Sequence, residues 1–175
     1  DGLCRALQRC TEAAGSGLGG ENADPLGREP IGSQLGVRAI SQAGVAIDLV
    51  VRGVCVLRPG VPGVSENIRV RSVLGRFLEH SRVFAFLHDG DQRVICASAD
   101  WMPRNLYRRV EVAFPLTMRQ TADRIVHEEI EIYLEDDVRA WELHSDGSYG
   151  RVQRGEGPPR SAQDELMKLL AEKAP

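Results

Sequence analysis

Aromatic side chains are scarce, with Phe, Tyr and Trp together making up 5% of 175 residues. The core must therefore be aliphatic, built from Val, Leu, Ile and Ala. Cysteines number four (Cys4, Cys10, Cys55 and Cys96), and no two of them form a CxxC pair. That spacing leaves out the usual zinc sites. Cys55 and Cys96 lie inside apolar runs and read as small core residues. No apolar run approaches the ~20 residues needed to span a bilayer. The opening DGLCRALQRC lacks the basic start and apolar centre of a signal peptide. Together these absences point to a reduced, cytoplasmic protein with no integral membrane segment. Net positive charge is missing too. A formal charge of -3 and a pI near 5.8 argue against a general nucleic-acid binder.

Lysine is absent from one stretch in which arginine is dense. Residues 49–110 hold ten arginines and no lysine, against five acids: Glu66, Glu79, Asp89, Asp91 and Asp100. This is a basic island in an acidic chain. The guanidinium fork binds phosphate oxygens in pairs and keeps its charge at any working pH. Arginines at the ends of buried strands, with a histidine among them, suggest a phosphoryl or polyanion site.

The composition, 42% hydrophobic and 27% charged, suits one globular domain. Residues 1–14 have Leu3, Leu7 and Cys10 at helical spacing and predict a short helix. Residues 15–36 are rich in Gly, Pro, Asn and Asp, and read as linker or disordered. The expected division is therefore a divergent segment over 1–36 and a folded domain over 37–175. A helix from Gln34 should stop at Gly44. Val45–Val51 is nearly continuous aliphatic, as in a strand buried on both faces. The RPGVPG run is a rigid turn, and Ser65 beyond it is placed to cap the next element. Val70–His80 predicts a short helix. Arg82–Leu87 and Arg93–Ser98 predict strands joined at a tight turn, and Pro103–Arg108 a short helix. Arg109–Phe114 predicts another strand, and Thr117–Asp137 the longest helix, capped by Thr117. A hairpin is expected around Asp146-Gly147, then a final helix capped by Ser161. Strand–helix alternation of this kind means α/β.

His80 has two readings. One is a histidine stabilised by the dipole at a helix C-terminus. The other rests on its company. Arg82 follows at two residues, a strand pair comes next, and Ser98-Ala99-Asp100 closes it with a small-Ser-small turn. That order is similar to the phospholipase D pattern of HxK followed by GSxN, in which the histidine is nucleophile or proton donor. Arg82 stands where the pattern has lysine, and Leu87 where it has aspartate. Arg52 ends a buried strand, where α/β sheets bind ligands; the alternative is an arginine reaching for solvent. Arg58, Arg69, Arg71 and Arg76 read singly as a solvated face and jointly as phosphate steering. Arg104 and Asn105 follow Trp101 and could line the same rim. His88, His127 and His144 read as structural or surface residues. Glu128, Glu129, Glu131, Glu135, Asp136 and Asp137 read as a solvated helix face.

The runs SQAGVAIDLVVRGVCVLRPGVPGVSENIRVRSVLGRFLEHSR, ASADWMPRNLYRRVEVAFPL and VRAWELHSDGSYGRV resemble the C-terminal domain of bacterial polyphosphate kinases of the long-chain, ATP-dependent type. The resemblance covers roughly residues 39–172. It implies an α/β, phospholipase D-like sandwich of helices around a mixed β-sheet. It also implies reversible transfer of the ATP terminal phosphate onto inorganic polyphosphate, with magnesium, through a phosphohistidine. The implied partners are ATP or ADP and polyphosphate, in a homo-oligomeric full-length enzyme. Within it, His80 and Arg52 would line the nucleotide and phosphate pocket, with Arg58 and Arg82 as further phosphate-binding groups. The family's nucleophilic histidine lies in a preceding domain, and here no histidine precedes His80. The resemblance therefore implies a fragment with little kinase turnover of its own. The strand that opens this domain in the family has no counterpart in residues 15–36, so an unpaired sheet edge is expected. Two other functions fit the same residues: a phospholipase D-like phosphodiesterase, and a non-catalytic module binding polyphosphate or nucleotide.

Overall fold

The computed structural model describes residues 5–10, 34–52, 55, 57–88, 90–100 and 103–172. Among the described residues, eight strands form one mixed sheet. In chain order they are β1 (Arg5–Cys10), β2 (Ala46–Val51), β3 (Ile68–Val73), β4 (Val83–His88), β5 (Asp91–Ala97), β6 (Ala113–Pro115), β7 (Ala140–Leu143) and β8 (Tyr149–Arg151). Across the sheet the order is β6-β5-β4-β1-β2-β3-β7-β8. Strands β1, β2 and β3 are parallel, and every other pairing is antiparallel. The helices are α1 (Gln34–Gln42), α2 (Pro103–Arg108), α3 (Arg119–Val126), α4 (Ile132–Leu134) and α5 (Ala162–Glu172).

Strand β2 shows why the centre of the sheet is aliphatic. Ile47 through Val51 are all buried, because helices cover both faces. On one face Val37 of α1 packs on Ile47, Leu49, Val51, Ile68 and Val70. On the other, Val50 and Val73 meet Ile132, Tyr133 and Ala162 from α4 and α5. Helices thus sandwich a mixed sheet, the α/β, phospholipase D-like class that the resemblance implied. One charge sits within this strand. Asp48 is 2% exposed, and Arg69, its register partner on β3, brings Nε to 2.7 Å of Oδ1. A carboxylate can be buried here because a guanidinium is delivered by strand pairing itself.

Several elements match the sequence reading. Helix α1 ends as expected at Gly44, whose φ of +86° lets the chain turn out of the helix. The β4–β5 hairpin turns at Gly90 (φ +80°), and the β7–β8 hairpin turns at Asp146-Gly147. Helix α2 falls on Pro103–Arg108.

Other elements differ, each for a physical reason. The expected helix over residues 1–14 is instead strand β1 at Arg5–Cys10, lying between β2 and β4. Two neighbouring strands offer six residues a full set of backbone partners. The sheet position expected to be open is thereby filled. Most of residues 1–36, with Gly53, Val54 and Val56, lie outside the described residues. The expected helix Val70–His80 is strand β3 followed by an irregular segment. In IRVRSV the buried and accessible residues alternate at first, as a strand requires. Leu74, Phe77 and Leu78, which suggested a buried helical face, are all exposed. Strand β6 is shorter than expected and lies at the sheet edge, ending in Pro115.

The longest helical stretch begins at Arg119, with Met118 rather than Thr117 at the cap position and no side-chain cap. It passes through a π-helical turn, His127–Glu131, before α4. A π turn adds a residue to the cycle and rotates the buried face. Before it, Ala122 and Val126, with Ile130, pack on β4 and β5; after it, Ile132 and Tyr133 pack on β2, β3 and β7. Glu128 is not on a solvated face but buried, with Arg124 Nε at 2.8 Å. Ser161 does not cap α5, since its Oγ has no partner among the described residues. Asp136 Oδ2 instead accepts the Ala162 N–H at 2.8 Å. Nor does Ser65 cap a helix. Its buried hydroxyl donates to the Arg58 carbonyl, and its oxygen accepts the Val61 N–H, which closes the RPGVPG loop.

Candidate functional site

Parallel strands in an α/β sheet share one carboxyl edge, the usual place for a ligand. Here β2 ends at Val51 and β3 at Val73. Antiparallel β4 starts at that edge, with Val83 opposite Arg9 of β1. The register also brings there the end of β5, through Val83↔Cys96, and the start of β7, through Val73↔Ala140. The edge therefore gathers Arg52, the segment 74–82 with His80, and Arg82. It also receives Ser98, Asp100 and Glu111 from the far side of β5.

Arg52 follows β2 directly and is half-buried. Its carbonyl accepts the Ser72 hydroxyl at 3.2 Å, tying it to β3. His80 is exposed on the irregular segment just before β4. It does not end a helix, so the dipole reading of this histidine has no helix to rest on. Arg82 Nε donates to Asp100 Oδ1 at 2.6 Å, and both side chains are largely buried. A neighbouring carboxylate fixes the guanidinium's direction and offsets part of its charge.

Arg58 is placed elsewhere. Its carbonyl meets Ser65, whose own carbonyl accepts the Ile68 N–H at the start of β3. Asn67 of the same loop bonds Ser41 of α1. This is the amino edge of the sheet, one strand length from Arg52, or roughly 20 Å for six residues. Arg52, His80 and Arg82 thus share an edge that Arg58 does not. Arg69 and Arg71 are engaged structurally. The first pairs with Asp48, and the second donates through Nη1 to the Leu134 carbonyl at the end of α4. Arg76 lies over the Phe77 ring at 5.4 Å. A cleft of about 300 Å³ opens on the sheet face beneath α4 rather than at the carboxyl edge. Four acids (Asp48, Glu131, Glu135 and Glu142) line it against Arg69 and Arg71, a poor match for a polyanion.

Beyond β5, Ser98 and Asn105 hold Glu111. Both donate to its carboxylate, Asn105 Nδ2 at 2.9 Å. The Ser98 hydrogen bond, more than any other cause, holds the Glu111 carboxyl below its ordinary pKa; Asn105 and the nearby Arg109 and Arg82 add to this. A depressed pKa means that the folded state favours the carboxylate. The latch should therefore stabilise the domain above the ordinary carboxylate range and lose that contribution as pH falls through the folded pKa. The stability gap between wild type and Glu111→Gln, read from urea unfolding, should be present at pH 7 and close on acidification. A gap independent of pH would overturn this.

Sequence reasoning did not find the Arg82–Asp100 pair, although Asp100 closes the strand that Arg82 faces. It also missed Glu79 and Gln163, which hold the segment bearing His80. Nothing in the sequence signals Gln163 beyond its place in the first turn of a helix.

By class this is a mixed α/β sheet with helices on both faces, and it gathers Arg52, His80 and Arg82 at the edge where its parallel strands end, the usual place for a ligand in such folds. The family described as polyphosphate kinase C-terminal domain 2 matches residues 35–163. A polyphosphate kinase from Xylella fastidiosa is 54% identical over 138 residues, 77% of this chain and 20% of that protein. One from Pseudomonas aeruginosa is 55% identical over 132 residues, 75% of this chain and 19% of that protein. The crystal structure of polyphosphate kinase from Porphyromonas gingivalis matches with a TM-score of 0.79 at 33% identity. It covers 97% of this chain and 24% of its own. This chain belongs to the polyphosphate kinase C-terminal domain family. It spans about a fifth of the length of the curated relatives it matches.

Proposed function

We propose that this domain is the C-terminal catalytic part of a polyphosphate kinase, which moves the terminal phosphate of ATP reversibly onto inorganic polyphosphate. The observation that carries this reading is the shared carboxyl edge of Arg52, His80 and Arg82, in a chain whose relatives are named for that substrate. Phosphoryl transfer asks mostly for positioning and for neutralised charge. Arg52 binds phosphate oxygens of ATP. Arg82, oriented by Asp100, faces the same anion from the residue just before β4. His80 donates a proton, or stabilises charge, opposite a phosphohistidine carried by another domain of the enzyme. The acids described at this edge, Glu79, Asp100 and Glu111, are already bound by Tyr133 and Gln163, by Arg82, and by Ser98 and Asn105. They do not make a carboxylate cage for a resident cation, and among the described residues no cluster of three or more His, Cys, Asp or Glu side chains could hold one. Magnesium in this reading enters on the nucleotide as substrate. Homo-oligomeric assembly of the whole enzyme and a cytoplasmic location belong to the same proposal. No described helix is long and apolar enough to cross a membrane.

The covalent route needs a nucleophilic histidine outside this chain. The purified chain should therefore bind polyphosphate, more weakly at higher salt, and show little turnover in a coupled assay with ATP, polyphosphate and magnesium. Binding without turnover supports the proposal. Absence of any polyphosphate or ATP binding would sink it. Hydrolysis of a chromogenic phosphodiester, lost in His80→Ala, would favour a phosphodiesterase instead.

A further inference from the structure

The segment that carries His80 has little regular structure of its own. Residues 74–78 are exposed, and none of residues 74–82 belongs to a strand or helix. One buried side chain grips it from outside. Gln163, 3% exposed in the first turn of α5, accepts the Phe77 N–H through Oε1 at 3.1 Å. It returns Nε2 to the Phe77 carbonyl at 2.9 Å and to Glu79 Oε1 at 2.7 Å. The Tyr133 hydroxyl donates to the same Glu79 oxygen at 2.5 Å. The fit is close on the other side as well: a Cβ on Gly75 would collide with the Gln163 side-chain amide.

We infer that Gln163 is the positioning residue for His80, acting through a two-way amide clamp on Phe77 and a shared hold on Glu79. A glutamine can do this because one amide supplies both an acceptor and two donors. A residue gripped at both N–H and C=O is held much as it would be by a neighbouring strand. Glu79 is the residue immediately before His80, so its fixed carboxylate limits where the imidazole can stand. Tyr133 and Gln163 come from separate helices, and both are tied to the core. Tyr133 is buried, and Asp136 fixes the start of α5 one residue before Gln163. The C-terminal helix thereby reaches the candidate site through the Gln163 side chain. The consequence for ligand binding rests on the polyphosphate reading above; the clamp itself does not.

The test uses this chain, with Gln163→Leu, Gly75→Ala, His80→Ala and the Gln163→Leu/His80→Ala double variant. Gly75→Ala disturbs the clamp from the loop side and leaves α5 untouched, should Gln163→Leu fold poorly. Two quantities are read: amide exchange at Phe77 and binding of polyphosphate of defined length. Gln163→Leu and Gly75→Ala should each speed Phe77 exchange about tenfold or more, while amides of β2 and β3 keep wild-type rates. Each should also weaken polyphosphate binding. The double variant should bind no more than about twofold more weakly than His80→Ala alone, because both changes remove one function. Unchanged Phe77 exchange overturns the clamp. Faster exchange with wild-type binding, or additive losses in the double variant, overturns the link to His80. If His80→Ala itself binds polyphosphate as wild type does, the link from the clamp through His80 to binding falls, while the exchange result still decides whether Gln163 holds the segment. Loss of all polyphosphate binding by the wild-type chain is what would overturn the polyphosphate reading.

Discussion

Replacing Asp136 by alanine is expected to cost this domain about 3 kcal/mol of stability or more, a loss at the upper end for a single polar side chain. The carboxylate is fully buried. Oδ1 accepts the backbone N–H groups of Val138 at 3.0 Å and Arg139 at 2.6 Å, and Oδ2 accepts that of Ala162 at 2.8 Å. Three segments meet on this one group: the turn after α4, the approach to β7 and the first turn of α5. Alanine leaves three buried or half-buried donors without their acceptor. Each orphaned donor costs roughly 1–3 kcal/mol, less than additively because the turn can relax. It also withdraws negative charge from the N-terminus of α5, where the helix dipole favours it. A loss of this size should lower the melting temperature by roughly 10 °C in a domain of this length. Urea unfolding with an unchanged m-value is the measurement. Asp136→Asn keeps one carbonyl oxygen and should fall between wild type and alanine. A loss below about 1 kcal/mol for alanine would mean that the three donors find other partners. The neighbouring Asp137, which accepts the Arg160 N–H at 2.8 Å on an exposed surface, should matter far less.

The sequence made this role hard to see. Asp136 stands in a run of acids, with Glu135 before it and Asp137 after, and a run of like charge on a helical pattern reads as a wet face. Only the chain's return at Ala162 gives the middle carboxylate its third donor and shuts out water. The same blindness applies to Glu128, buried beside Arg124, and to Asp48, buried beside Arg69. A buried carboxylate is decided by which partner the fold delivers, and composition does not carry that.

Strands were legible where burial was two-sided or pairing was local. The aliphatic run Val45–Val51 left little choice, and both glycine-turned hairpins were fixed by positive-φ positions. The failures cluster where two periods compete. Ile68–Val73 and its continuation satisfy a helical spacing as well as an alternating one, and pairing with β2 decides for the strand. Residues 5–10 likewise carry a helical pattern but are drawn into the gap between β2 and β4. Tertiary demand outweighed local preference in both places. The candidate site residues were chosen by motif and by position at strand ends. What motif could not supply was their grouping, with Arg58 at the opposite edge and Arg82 bound to Asp100.

That grouping gives the largest expected effect on activity. In a full-length polyphosphate kinase carrying this domain, His80→Ala should lower polyphosphate synthesis by about 10²–10⁴-fold, the usual contribution of a positioned proton donor. The loss should appear mainly in kcat, because a group acting on the transferring phosphoryl is felt most in the transition state. Arg58→Ala makes the comparison informative. It removes a guanidinium from the same basic stretch, but one that lies a strand length away from the carboxyl edge. If charge density alone drew the polyanion, the two substitutions would act alike, and both losses would shrink together as salt screened the field. If position decides, His80→Ala is severe at every ionic strength, and Arg58→Ala changes little beyond salt-dependent affinity. Near-normal synthesis by His80→Ala would remove the histidine from the mechanism and leave phosphate binding at this edge to its arginines. Equal losses from both would mean that the edge is no more than part of a diffuse basic surface.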